Sequence, residues 1–506
     1  MPLTYFLHKG LTSKRFKSDN LIPWLMNNNS RFFFVLAAVG AAIGLGNLWA
    51  YPYLSFRFTG LFFIPYIIAL FLLGIPLLML AFSIGQYFNK NVVDLFASVR
   101  KRLSGIGWLM SVNAFIVMSF YAVALSWPIV YLFVSFGQQW KNNASNYFFS
   151  NVVQISDGLT NFTQFSLPAF IALIIAWLIV FFCIKNGFES MKRWFLATIP
   201  ALIVLVLLFL FYSLSLQASL KGIYYFLKPN FRSLLSPNVW ISSFSLVMMS
   251  LGLGFGVMHA FARKSGKGFV AGNSFIVPVF EIIFSVALGF IAFGILGFLS
   301  LKEGIGLDST AFPGFHFQFS VLAQAFPLFY RPTLLSILFF VFLAAIFLLG
   351  TASLAYSVSH LLVHKFKTRH FNAAVIVAGF GFLLGFLFII KPGFYIMEIV
   401  SHFVYYNILI AAFLECLAVG WFFDSEKISE FINHHSFLKI GSIWRFFIRY
   451  FVPLVLIALL AIQIKSDYLL KFKGYPIWAV LVFGTGSVAV PIIAAFLLPR
   501  KILDRR

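Results

Sequence analysis

The stretch AAVGAAIGLGNLWAYPY, running from Ala37 to Tyr53, decides how this chain is read. It lies in an apolar run long enough to cross a bilayer, which takes about 20 residues. Yet Gly40, Gly44 and Gly46 crowd seven positions, Asn47 follows at once, and Pro52 comes five residues later. Glycine and proline weaken helices, and a polar amide in hydrocarbon needs partners. Packing gives one reading, because Gly40 and Gly44 form a G-x-x-x-G pair that lets two helices approach. Packing explains neither Asn47 nor Pro52. The other reading is a helix broken on purpose, which is tolerated at membrane depth only where the backbone lines a cavity.

The whole chain supports a membrane setting. Of 506 residues, 61% are hydrophobic and 10% charged, and the mean hydropathy is +0.96. A soluble domain does not hide that much apolar surface. The formal charge of +23 would suggest nucleic acid in a soluble protein. Here the cations fall mostly in short segments between apolar runs, where they act as topology signals. Cys183 and Cys416 both sit in apolar segments and suggest no disulfide framework. The basic N-terminus lacks a long apolar core and does not read as a cleaved signal peptide.

Apolar runs of spanning length number about 12. Gln138 to Ser166 and Leu301 to Pro332 read as long loops. Roughly 26 basic residues fall on the side of the termini and roughly 10 on the other, so both termini are expected in the cytoplasm of a multi-pass plasma-membrane protein, the inner membrane if bacterial. Asn143 and Asn161 begin sequons in the first long loop, a pattern common by chance in Asn-rich loops.

A second interrupted run, SLGLGFGVMHAF from Ser250 to Phe261, occupies the sixth span with Gly252, Gly254 and Gly256. If spans one to five and six to ten are two repeats, the first and sixth correspond. Paired Gly-interrupted segments in corresponding positions point to a midplane binding site. Freed carbonyls there bind a cation, and freed N–H groups at half-helix N-termini bind an anion.

These residues carry a resemblance. GAAIGLGNLWAYPY followed by FIPYIIALFLLGIPLLML is similar to the neurotransmitter:sodium symporter family, including the bacterial leucine-transporter type. KNGFESMKRWFLATIPALIVLVLL, YYFLKPNFRSLLSPNVWISSF and SLGLGFG extend the match over about Arg31 to Phe496. The resemblance implies an all-α polytopic protein with five-plus-five inverted repeats, unwound first and sixth helices and two added helices. The divisions would be an N-terminal segment 1–30, a first repeat 31–215, an external loop 216–238, a second repeat 239–423, and a final part 424–506. It implies sodium-driven import of an amino acid or amine, with the lipid bilayer and a small molecule as partners, and no enzyme activity or nucleic acid.

Carried over residue by residue, the second sodium site would use backbone oxygens of Gly40, Ile43 and Leu348 and the hydroxyl of Thr351. The neighbouring hydroxyl position is Ala352, with Ser353 next to it. The first site would use the Ala42 carbonyl, Asn47 and Ser250. Its seventh-span asparagine position is Val277, with Asn273 as a substitute. The amides of Leu45 and Gly46 and the Tyr121 hydroxyl would hold a carboxylate. Carbonyls of Ala42, Met249 and Ser250 would receive an amine. Val117, Met249, Gly252, Phe255, Ala352 and Tyr356 would wall a pocket for an apolar side chain. Monoamine-carrying members place an aspartate at the Gly44 position, so glycine there implies room for the substrate's own carboxylate. Each residue has a plainer reading: Tyr121 as a packed aromatic, Ser250 and Thr351 bonded to their own helices, and Met249 and Phe255 as core.

Several family charges are missing. The external gate arginine and aspartate positions are Ala50 and Val400, and the companion glutamine is Leu246. The brace glutamate is Ala81. The cytoplasmic gate arginine aligns near Leu25, between Lys17 and Arg31, and its aspartate is Phe366. Either gate charge alone would be costly in a low-dielectric vestibule. Intramembrane acids are Glu281, Glu398 and Glu415. Glu281 lies near where some members bind chloride and others keep an acid, so it is a candidate for proton coupling, and a chloride requirement stays open. Arg57 reads as snorkelling or as a vestibule charge. His259 reads as a satisfied histidine or as a titrating one. Proton-coupled or uncoupled amino-acid transport is the same-class alternative. A transport-inactive sensor or scaffold of the same fold is the other.

Overall fold

The computed structural model describes residues 29–58, 62–304, 306–307, 316–435, 439–470 and 472–503. The side chains of Leu45 and Asn47, the position Leu25 and the segment 1–28 lie outside the described residues. What is described is helical, with a single isolated bridge between Phe165 and Ile390. Among the described residues nine helices are long and apolar enough to cross a membrane, and Arg31–Gly44 and His370–Phe386 are shorter apolar ones. The sixth span is in two pieces, Pro237–Ser250 and Val257–Ala262. Together these make the expected 12 spans.

The two interruptions differ in size. The first span runs Asn29–Leu45, breaks at Gly46 alone, and resumes as Asn47–Phe58. Pro52 sits inside the second piece, past its first turn, where it leaves the Leu48 carbonyl without its helical N–H partner. The sixth span stays non-helical from Leu251 to Gly256. Gly252, Gly254 and Gly256 take φ of +60°, +75° and +73°, a region that side chains with a Cβ rarely adopt. Replacing any of them would strain the break itself.

The first half of the first span is buried from Ala37 to Gly44. It is walled by the eighth span, Pro332–Phe366, the seventh, Val270–Glu303, and the fifth, Phe188–Ser215, while the third, Ser104–Val134, packs on the eighth. The tenth, Gly393–Leu417, closes on the sixth-span break: a Cβ at Gly254 would lie 2.9 Å from the Ile408 carbonyl oxygen. The eleventh and twelfth spans are the most exposed of the long ones. Their outward faces suit lipid, which solvates apolar side chains as well as a core does.

The long loops are partly ordered as helix. Ala144–Tyr147 and Phe148–Val153 form in the first, where Asn143 caps the start by accepting from the Asn146 N–H. In the second, Gln318–Leu328 is helical. The end of the bundle where the first span begins is called basal below, and the other end distal.

Candidate functional site

The two breaks meet. A Cβ at Gly46 would stand 3.1 Å from the Ser250 nitrogen and 3.2 Å from its Cα. Glycine therefore lets the first-span break lie directly against the start of the sixth-span break. Within the latter, Gly252 N–H bonds to the Met249 carbonyl at 3.1 Å and Leu253 N–H to the Met248 carbonyl at 3.2 Å. The Met249 carbonyl thus already accepts one bond, with a second lone pair left.

Gly40 and Gly44 behave as the packing reading expects. A Cβ at Gly44 would lie 2.3 Å from the Gly350 nitrogen, and one at Gly40 3.0 Å from Ile199 Cδ1. The eighth span thus leaves no room for a Cβ at Gly44. Tyr121 is buried on the third span, with its ring against Phe120, Phe347 and the Gly350 position. Val117, Phe255 and Ala352 are fully buried close by in the core.

The hydroxyls bond as their plainer reading expects. Thr351 donates to the Phe347 carbonyl at 2.8 Å and Ser353 to Leu349 at 2.7 Å. This does not disqualify Thr351 as a cation ligand. A hydroxyl that gives its proton to a carbonyl keeps its lone pairs for a positive charge. The eighth span thus offers hydroxyls with protons already placed elsewhere. Among the described residues there is no cluster of three histidine, cysteine or acidic groups that could hold a transition metal.

A family profile described as Sodium:neurotransmitter symporter family matches residues 26–144 and 138–502. The chain belongs to the sodium:neurotransmitter symporter family. A protein of Methanocaldococcus jannaschii named an uncharacterized sodium-dependent transporter is 31% identical over 480 residues, covering 93% of this chain and 97% of that one. The rat sodium- and chloride-dependent GABA transporter 2 is 27% identical, covering 82% and 76%. The rat sodium- and chloride-dependent taurine transporter is 26% identical, covering 96% and 86%. The family is one of transporters, not enzymes.

For a sodium:neurotransmitter symporter, the seventh span is unusual. Val277 is fully buried and offers no oxygen. Asn273, the substitute weighed above, is engaged elsewhere: its Oδ1 accepts from Arg31 Nε at 3.2 Å and Nη2 at 3.1 Å. The Arg31 guanidinium also lies 3.9 Å from the centre of the Phe269 ring. Lys192 sits 3.8 Å over Phe33. These contacts pin the basal half of the first span to the seventh and fifth spans, without the arginine–aspartate gate whose acid position is Phe366. A hydrogen bond to a charged group contributes about 1.5–3 kcal/mol. Arg31→Leu is therefore expected to speed amide hydrogen exchange over Phe33–Val39 by at least about tenfold, read by mass spectrometry. Unchanged exchange there would remove Arg31 from the closure.

One helical turn past Val277, Glu281 is fully buried. Tyr66 donates to its Oε1, as does Ser285 at 3.2 Å. The same Tyr66 hydroxyl lies 3.3 Å from Ser250 Oγ. One hydroxyl therefore links the carboxylate to the sixth-span break. Tyr51 packs its ring 5.4 Å from that of Tyr66.

Buried apolar residues occupy several lost charge positions. Leu246, Val400 and Ala81 are buried, and Ala50 is half-buried. Arg57 is exposed at the distal end, its guanidinium 5.4 Å from the Phe58 ring, in keeping with snorkelling. His259 Nε2 lies 2.9 Å from Glu415 Oε1, with both residues buried, while its Nδ1 is buried without a hydrogen-bond partner among the described residues. Glu398 accepts from Tyr475.

Tyr356, expected in the side-chain pocket, lines a basal cavity of about 370 Å³ with His360, Lys192, Lys264 and His370. Its ring lies between Phe188, Phe261 and His360. Sequence reasoning missed this cavity. Its signal was the spacing of Tyr356, His360 and His364, which puts three polar rings on one helical face.

Proposed function

We propose that this chain is a sodium-coupled symporter that imports a small amino acid with an apolar side chain by alternating access. The observation that supports it most is the meeting of the two breaks, with Gly46 against Ser250. Broken backbone at membrane depth is kept where it serves a site. The sodium dependence named for the relatives supplies the driver. The two repeats pair the first span with the sixth. The basal end, richer in lysine and arginine, faces the cytoplasm.

Sodium occupies the second site, held by carbonyls of Gly40, Ile43 and Leu348 and by Thr351. The first site, with Ala42, Asn47 and Ser250, is the weaker, because Val277 brings no ligand and Asn273 serves Arg31. The substrate carboxylate meets the amides of Leu45 and Gly46 and the Tyr121 hydroxyl. Its amine meets carbonyls of Ala42, Met249 and Ser250. Val117, Met249, Gly252 and Phe255 enclose the side chain, and Tyr356 stands on the basal side of it.

Thr351→Val keeps the shape and removes the hydroxyl. A ligand to a charged group contributes about 1.5–3 kcal/mol, so the sodium concentration for half-maximal uptake should rise about 10- to 100-fold. An unchanged sodium curve would move the ion away from the eighth span. The broader test is uptake of a radiolabelled amino-acid mixture into proteoliposomes under a sodium gradient, a proton gradient, or neither, with Asn47→Ala beside the wild type. Accumulation that needs sodium and is lost in the variant supports the symporter. Accumulation driven by protons replaces it with a carrier coupled through Glu281. No accumulation in either protein replaces it with a sensor or scaffold of the same fold.

A further inference from the structure

The basal cavity is cationic and short of partners. Its floor is Tyr356 and His360, and its rim includes Lys192, Lys264, His370 and Glu189. Behind the floor, Arg263 Nη1 lies 2.9 Å from His360 Nε2, and Arg263 Nε donates to the Asn89 side-chain oxygen at 3.2 Å. Both partners of this half-buried guanidinium are neutral. An imidazole nitrogen that accepts from arginine keeps its own proton on the other nitrogen. Burial pushes the Arg263 guanidinium below its ordinary value. His364 adds another ring 4.4 Å from that of His360.

Among the described residues no carboxylate pairs with Arg263, Lys192 or Lys264. The acid on the rim, Glu189, is exposed. The Tyr356 hydroxyl is buried without a hydrogen-bond partner, although the residue is only 2% exposed. A buried hydroxyl left unpaired is unfavourable by about 1–3 kcal/mol. Cations gathered around a cavity whose one lining acid is exposed and unpaired with them are unfavourable as well. A single negatively charged oxygen ligand would relieve both. The volume is in the range of small-molecule sites, about 300–1,000 Å³.

We propose that this cavity is a second binding site, for a small carboxylate or oxyanion, distinct from the site between the two breaks. Lys264 and Lys192 attract the anion at the rim. Tyr356 donates its hydroxyl hydrogen to an anion oxygen at the floor, and Arg263 supplies charge through its contact with His360. Two sources share this chemistry: an inorganic oxyanion of that compartment, and the carboxylate of an amino acid leaving the central site.

The test is thermal unfolding of the full chain in lipid nanodiscs, in potassium salts without sodium and at constant ionic strength. Inorganic phosphate is compared with chloride, and a separate arm adds the amino-acid mixture to chloride. Binding to the folded state should raise the midpoint by at least about 2 °C. Lys264→Gln, at an exposed position, should abolish the rise while keeping the chloride midpoint, and Tyr356→Phe, which removes only the unpaired hydroxyl, should abolish the rise from a chloride midpoint no lower than that of the wild type. A response to phosphate identifies the inorganic source. A response to the mixture alone identifies the substrate carboxylate. If neither shifts the midpoint, or if both variants respond as the wild type does, the site does not exist. The readout uses no sodium and no gradient, so it fails or succeeds independently of sodium-driven uptake.

Discussion

Gly44→Ala should reduce sodium-driven uptake by about 100-fold, with the protein still in the membrane. The added Cβ would lie 2.3 Å from the Gly350 nitrogen, 2.7 Å from its Cα and 3.0 Å from the Ile346 carbonyl oxygen. All three are backbone atoms of the eighth span, so no side chain can swing aside. The first span must move, and overpacking of this kind is unfavourable by about 1–3 kcal/mol. The displacement falls where the proposed sodium ligands Gly40, Ile43, Leu348 and Thr351 bring the two spans together. About 3 kcal/mol against the bound geometry is about a 100-fold loss of occupancy. Gly350→Ala should do the same from the other side, because its Cβ would stand 2.6 Å from the Gly44 carbonyl oxygen. Gly44→Asp should fail as well, and should not confer amine uptake, since its Cβ meets the same backbone. Uptake within twofold of wild type in Gly44→Ala would show that the spans separate during transport more than this packing suggests.

This contact shows where the sequence was legible. The motif offered two readings of its glycines, packing or a break, and the structure divides them. Gly40 and Gly44 pack, and Gly46 is the break. A spacing rule cannot separate these, because G-x-x-x-G places residues on one face without saying what faces them. The sixth-span break was clearer, since three glycines at alternate positions fit neither a helical stripe nor a small-residue seam. The 12 spans were readable from apolar run length, a property local to each segment.

Side-chain partners were legible only in part. Asn273 was weighed as a substitute for the asparagine position at Val277, but its side-chain oxygen is taken by Arg31, 242 residues away in sequence. His259 and Glu415 were each noticed, though their pairing across the sixth and tenth spans was not. A buried charge in lipid predicts that a partner exists, while only the packing of helices names it. Tyr356 was read by its place in the family motif, and the chain's own histidines one and two turns on were not joined to it.

Glu281 carries the last prediction. Its carboxylate accepts from Tyr66 and Ser285, and Tyr66 reaches Ser250 at the break. Two hydroxyls thus converge on one buried oxygen of this acid. A fixed negative charge one hydroxyl away from the break would offset sodium there, as a dissolved anion could for relatives named sodium- and chloride-dependent. Wild-type uptake should therefore be the same in chloride and in gluconate. Glu281→Ser leaves the hydroxyls and removes the charge. Loss of one partner from a buried charge arrangement is unfavourable by about 3–5 kcal/mol, so uptake in gluconate should fall at least about 100-fold. Chloride, small enough for the vacated position, should restore it. Glu281→Gln fills that position with a neutral group and should stay inactive in both salts. If chloride rescues neither variant while a proton gradient drives the wild type, the carboxylate is the coupling group itself. If Glu281→Ser transports normally in gluconate, the charge is structural and the driving sodium is bound beyond its reach.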